Sequence, residues 1–110
     1  MHSLTTLITF IAHHFPFDED HYPELIGKDK EQVLAFALRH SALHFAKTAG
    51  KIAAVSEAID HGAKVDLEEL RKNVPKALIN TLRLAELVGV SEDDLVQAIE
   101  EKYRAKVSAV

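Results

Sequence analysis

The stretch from Lys30 to His61 constrains this chain more than any other. Asp29 stands just before it and Gln32 three residues further on. In that pairing a carboxylate accepts free backbone N–H groups at a helix start while the glutamine side chain reaches back. Gly62 stands just after it, where the left-handed conformation that closes a helix is cheap for glycine. Between these signals Val33, Phe36, Leu43, Phe45, Ile52, Val55 and Ile59, with intervening alanines, form a broad apolar surface. The expected helix is about 32 residues and roughly 48 Å long. So long a helix in a chain of 110 residues predicts that part of it packs outside its own subunit, in a homodimer or higher oligomer.

Length and composition set the remaining bounds. A chain of 110 residues supports one hydrophobic core, and we expect one domain over residues 1–110. The hydrophobic fraction of 47% with 27% charged residues belongs to a soluble globular protein, and the low Gly, Pro and aromatic content favours helices. Cysteine is absent, which excludes disulfides, thiolate metal sites and cysteine nucleophiles. A net charge of −4 argues against a general nucleic-acid surface, although a local basic pocket escapes that argument. No apolar run approaches the ~20 residues of a membrane span, and the N-terminus lacks the pattern of a signal peptide, so the expected setting is cytoplasmic with no membrane partner.

The other segments read as shorter helices. SLTTLITFIAHHF spaces Leu4, Leu7, Ile8 and Ile11 for a short amphipathic helix. FPFDEDHYPELIG, with two prolines and an acidic run, is an irregular connection whose Phe15, Phe17, Tyr22, Leu25 and Ile26 are expected to pack on the domain. These two segments make up residues 1–29. Asp66 followed by Glu69 opens the next helix, and Pro75 is expected either to kink it or to separate a turn ending near Asn73 from a new helix over residues 76–88. Gly89 ends that helix. Ser91 with Asp94 caps a last one that carries Leu95, Val96, Ile99 and Tyr103 on one side. Short connections between amphipathic helices imply antiparallel neighbours, hence an all-α bundle around one long central helix.

The centre of the long helix, AKTAGKIAAVSEAIDHG, with INTLRLAELVGV and EDDLVQAIEEKY after it, resembles the MazG-like, all-alpha nucleoside triphosphate pyrophosphohydrolase superfamily. The resemblance spans residues 32–106 and implies a MazG-like core over 30–106, completed by dimerisation. In that family, paired acids and a third acid on the long helix join a glutamate and an aspartate on the next helix to hold magnesium beside the triphosphate. Hard oxygen ligands suit that ion. Laid onto this chain, the first set falls on Lys47, Thr48 and Lys51, and the second on Asn73 and Lys76. None is acidic, and lysine cannot give a metal a carboxylate oxygen. The Mg-dependent reaction is therefore disfavoured, and no catalytic residue or cofactor is assigned.

Three readings follow. In the first, the loss of acids has ended catalysis and the chain is a non-catalytic helical homodimer with a structural or partner-binding role. In the second, His40, His44, Lys47, Thr48, Lys51, Asn73, Lys76 and Arg83 surround a basic cleft that binds a nucleotide or another phosphate-bearing anion without metal. In the third, a divergent pyrophosphohydrolase survives on other acids. Glu57, Asp60 and His61 at the end of the long helix have metal-ligand spacing, whereas adjacent His13 and His14 point in different directions and make a poor chelate. Gly50, inside the long helix, marks a place where a second helix or a ligand is expected to come close.

Overall fold

The computed structural model describes residues 3–108, with side chains through Arg104. Every regular element among them is helical: α1 (Leu4–His14), a single 3-10 turn (Pro23–Leu25), α2 (Lys30–Asp60), α3 (Leu67–Leu87) and α4 (Glu92–Ser108). The all-α expectation is met, and the strongest packing joins the two central helices α2 and α3.

The helix ends follow from local chemistry that the sequence already spelled out. Asp29 accepts from the Gln32 backbone N–H at 2.8 Å while the Gln32 side chain accepts from the Asp29 N–H at 3.1 Å, so both arms of the capping box form. Asp66 caps α3 through the Glu69 N–H, and Ser91 and Asp94 cap α4 reciprocally. Gly62 and Gly89 both have positive φ. Beyond each, the next residue donates back across the last turn, Ala63 to the Ala58 carbonyl and Val90 to that of Ala85. These paired closures stop α2 and α3 sharply.

Pro75 behaves differently from the alternative of two separate pieces. It lies inside one continuous α3 with an exposed ring. Proline there removes the hydrogen bond to the Arg71 carbonyl. The helix persists because residues on both sides of it are held by neighbours: Asn73 and Asn80 are buried on one face, and Leu82 and Ala85 further along. The Asn73 amide also donates to the Glu69 carbonyl at 2.8 Å, adding a bond within the turn that leads into the proline.

Helix α3 packs against both α2 and α1. Its seam with α2 is unusually polar. Thr48 and Ser41 of α2 and Asn73 and Asn80 of α3 are all buried. Asn80 donates to the Thr48 hydroxyl at 3.0 Å and to the His44 carbonyl at 3.3 Å. Its seam with α1 is apolar, with Leu7, Phe10, Ile11 and Phe15 facing Pro75, Leu78, Ile79 and Leu82.

Helix α4 is tied in at its start. Glu92 accepts from the Leu4 backbone N–H and from the Thr5 hydroxyl, each at 2.9 Å, and so places a carboxylate at the N-terminus of α1. The first turn of α1 holds no acid of its own, so Glu92 supplies the negative charge that the helix dipole favours there. Glu92→Gln is expected to lower stability by about 1 kcal/mol. Hydrogen exchange at the Leu4 amide should speed up with it, and unchanged exchange there would show that the contact does not hold α1 and α4 together.

Much apolar surface stays open. Val96, Ile99 and Tyr103 share one side of α4, and Tyr103 is 66% exposed. Leu34, Phe45 and Ile59 of α2 are exposed as well, as are Leu67, Val74 and Leu78 of α3. The radius of gyration is 17.5 Å, against about 13 Å for a compact chain of this length.

Candidate functional site

The eight candidate residues divide by their place on α2 and α3. Helical spacing puts Ala37, Ser41, Thr48 and Val55 at the centre of the α3 contact, where all four are buried. His40, His44, Lys47 and Lys51 run along one flank of that contact, and Leu34, Leu38, Phe45, Ile52 and Ile59 run along the other. Thr48 and Asn73 therefore face the interior of the helix pair. The Thr48 hydroxyl is engaged by Asn80, and the Asn73 amide nitrogen is bonded to the Glu69 carbonyl and carboxylate at 2.8 and 3.0 Å. Lys47 and Lys76 are exposed and Lys51 is half-buried.

The histidines meet an aromatic group that the spacing did not reveal. The His40 ring lies 5.1 Å from Tyr22, 5.7 Å from Phe36, 5.8 Å from Phe17 and 4.5 Å from His44, centroid to centroid. The Tyr22 hydroxyl is 3.4 Å from His40 Nε2, a long contact in which either group can donate. The connection between α1 and α2 thus folds back onto α2 through Phe17 and Tyr22, and Leu25 is buried, whereas Ile26, expected to pack with them, is 65% exposed. Arg83 joins from α3. Its guanidinium stacks 4.4 Å from the Phe17 ring centre and 5.6 Å from that of Phe15, and donates to the Phe15 carbonyl at 3.3 Å.

This environment acts on His40. Partial burial lowers its pKa below the ordinary 6.5, the positive charges of His44 and Arg83 lower it further, and Glu24 opposes them. Because the folded value lies below the unfolded one, the unfolded chain binds more protons in the interval between them. Stability should therefore fall as pH drops below 6.5 and level off once pH passes the folded pKa. Urea titrations of the wild type and His40→Gln from pH 7.5 to 5 check this. The wild type should lose more of its midpoint on acidification than the variant, and parallel profiles would remove the role assigned to burial.

Three clefts are open near these elements. The first, of about 480 Å³, lies where the end of α1, the start of α2 and the end of α3 meet, and Arg83 lines it with Lys28, Lys30 and Glu86. The second, about 560 Å³, is bordered by Glu24, Leu25, Lys28, Gln32, Ala35, Phe36 and Arg39. The third, about 220 Å³, is the apolar seam between α1 and α3. Of the eight candidates, only Arg83 lines any of the three. Lys28 and Lys30 escaped the sequence reading because they flank the cap of α2, where charged residues are ordinary surface.

The acids of the third reading are also placed. Glu57, Asp60 and His61 are exposed at the end of α2. Among the described residues no three His, Asp or Glu side chains stand close enough together to hold a metal ion. No described helix is long and apolar enough to cross a membrane. A Cβ added at Gly50 would meet nothing within 4 Å, so among the described residues no element makes the close approach expected there.

No protein-family model, curated protein or solved structure matches the chain.

Proposed function

We propose that this chain is a MazG-like helical homodimer without catalytic activity, whose role lies in assembly or partner binding. The observation that carries this reading is the imbalance between core and surface: among the described residues six apolar ones are buried, while Phe45, Ile59 and the α4 side chains Val96, Ile99 and Tyr103 lie open. Apolar stripes of that length on a small helical protein mark a surface that another chain covers. The stripe Phe45, Ile52 and Ile59 lies on the flank of α2 opposite His40 and Lys47, so a second copy can seat there without burying that polar row.

Two further observations support the non-catalytic part. At the positions where the resemblance would put magnesium ligands, Thr48 and Asn73 are buried and bonded within the helix pair, and Lys47 and Lys76 are cations in solvent. Neither arrangement offers carboxylate oxygens to a metal–triphosphate complex, and the Thr48 and Asn73 side chains are enclosed in the helix pair.

Sedimentation velocity at micromolar concentration tests the assembly, and a dimer is the expected result. A well-folded monomer over that range would overturn the reading. Incubation with a panel of nucleoside triphosphates plus Mg²⁺ or Mn²⁺ tests the other half, with no pyrophosphate release expected; metal-dependent release would restore the enzyme.

A further inference from the structure

The cleft at the junction of α1, α2 and α3 combines features that ordinary surface does not. Its floor is apolar, built from Ile11, Phe15, Val33, Leu34, Ala37 and Leu87, and Ile11 and Ala37 are buried. Its rim is cationic. Lys28 and Lys30 come from the start of α2 and Arg83 from α3, against one lining acid, Glu86. Among the described residues none of these three cations is in an ion pair. Arg83 is moreover held: two aromatic faces and the Phe15 carbonyl fix its plane, which lowers the entropy lost when a carboxylate docks on it. A volume of about 480 Å³ lies within the span of small-molecule sites, which are mostly apolar with a few placed polar groups.

From this geometry we propose that the cleft binds a small amphipathic carboxylate, its apolar body on the floor and its headgroup on Arg83 and the two lysines. The excess of two positive charges at the lining selects an anion over a neutral or cationic molecule of the same shape. The apolar floor selects against inorganic phosphate and bare nucleotides, which would leave it uncovered. This site shares only Arg83 with the eight candidate residues and none with the basic row on α2, so Lys47 and Lys51 take no part in it.

Octanoate is a suitable probe, with octanol as its neutral counterpart, titrated calorimetrically into the full chain at low and at moderate salt. The expected result is saturable binding of one octanoate per chain that weakens with salt, with octanol bound at least about tenfold more weakly. Arg83→Gln should weaken octanoate by about tenfold or more, and Leu34→Trp, which fills the cleft from a partly exposed position, should abolish the signal. Lys47→Ala with Lys51→Ala should leave it unchanged. Equal affinity for octanol, insensitivity to Arg83→Gln in a folded variant, or no binding to the wild type would each overturn the proposal. So would loss of the dimer in Leu34→Trp without any octanoate binding to the wild type, since the cleft would then belong to a second copy.

Discussion

Leu82→Ala should lower the unfolding free energy by about 3 kcal/mol, within the ~2–5 kcal/mol found when buried leucines are truncated. Leu82 is 2% exposed and sits where α3 meets Ile11 and Phe10 of α1 and Phe15 just beyond its end. Among the described residues it is the largest fully enclosed apolar side chain. Removing its isobutyl group takes away transfer energy and leaves a void that α1 cannot freely fill, because α1 is tied at its start to Glu92 of α4. A small domain has only ~5–15 kcal/mol in total, so the change is large against the whole. Urea unfolding at one fixed protein concentration measures it, since an associating chain has a concentration-dependent midpoint. A loss under about 1 kcal/mol would mean that α1 is not part of the cooperative unit.

Residues that act through their immediate neighbours were legible in the sequence. Asp29, Asp66 and Ser91 each cap a helix, and Gly62 and Gly89 close two of them, because these roles are decided within four or five residues. Pro75 was half legible. Its local penalty is fixed by its ring, but whether a helix runs through it depends on what holds the turns on either side, which is tertiary. Thr48 and Asn73 show where pattern reading stops. A polar residue on a helix looks the same whether it faces a ligand or a neighbouring helix: Asn80, the partner of Thr48, is 32 residues away, and Asn73 is buried in the same helix pair while bonded back to Glu69.

The aromatic cluster around His40 was hidden for a related reason. Phe17 and Tyr22 come from a proline-rich connection with no period to read, and they reach His40 only because Leu25 buries and turns that connection back onto α2. The sequence grouped His40 with Lys47 and Lys51 along one helix. In the fold it stands nearer to the aromatic side of Arg83, so the basic row divides into a histidine end beside the connection and a lysine end beside solvent.

The polar seam between α2 and α3 also bears on how two copies would meet. The Ser41 hydroxyl and the Asn73 carbonyl oxygen are buried without a partner, and each such atom costs about 1–3 kcal/mol. The Asn80–Thr48 bond is specific to one register of the pair, whereas the two unpartnered atoms subtract from its stability. A pair that carries this cost in its interior gains from support on its open flank, where Phe45, Ile52 and Ile59 stand in line.

Phe45→Asp should therefore weaken the proposed dimer by at least about 30-fold, the loss expected when a central aromatic anchor is removed from an interface and a charge is put in its place. Phe45 is 41% exposed, so the same substitution should disturb the isolated subunit far less than it disturbs association. Leu43→Asp provides the contrast. Leu43 is more exposed, at 65%, but helical spacing sets it on the far side of α2 from the α3 contact, away from the Phe45 stripe. Sedimentation equilibrium on both variants, with circular dichroism to confirm helix content, separates the outcomes. Selective dissociation by Phe45→Asp places the second copy on the Phe45 flank. Equal effects from the two substitutions, or a dimer that tolerates Phe45→Asp, would move the interface to the open face of α4, where Val96, Ile99 and Tyr103 offer the next apolar stripe.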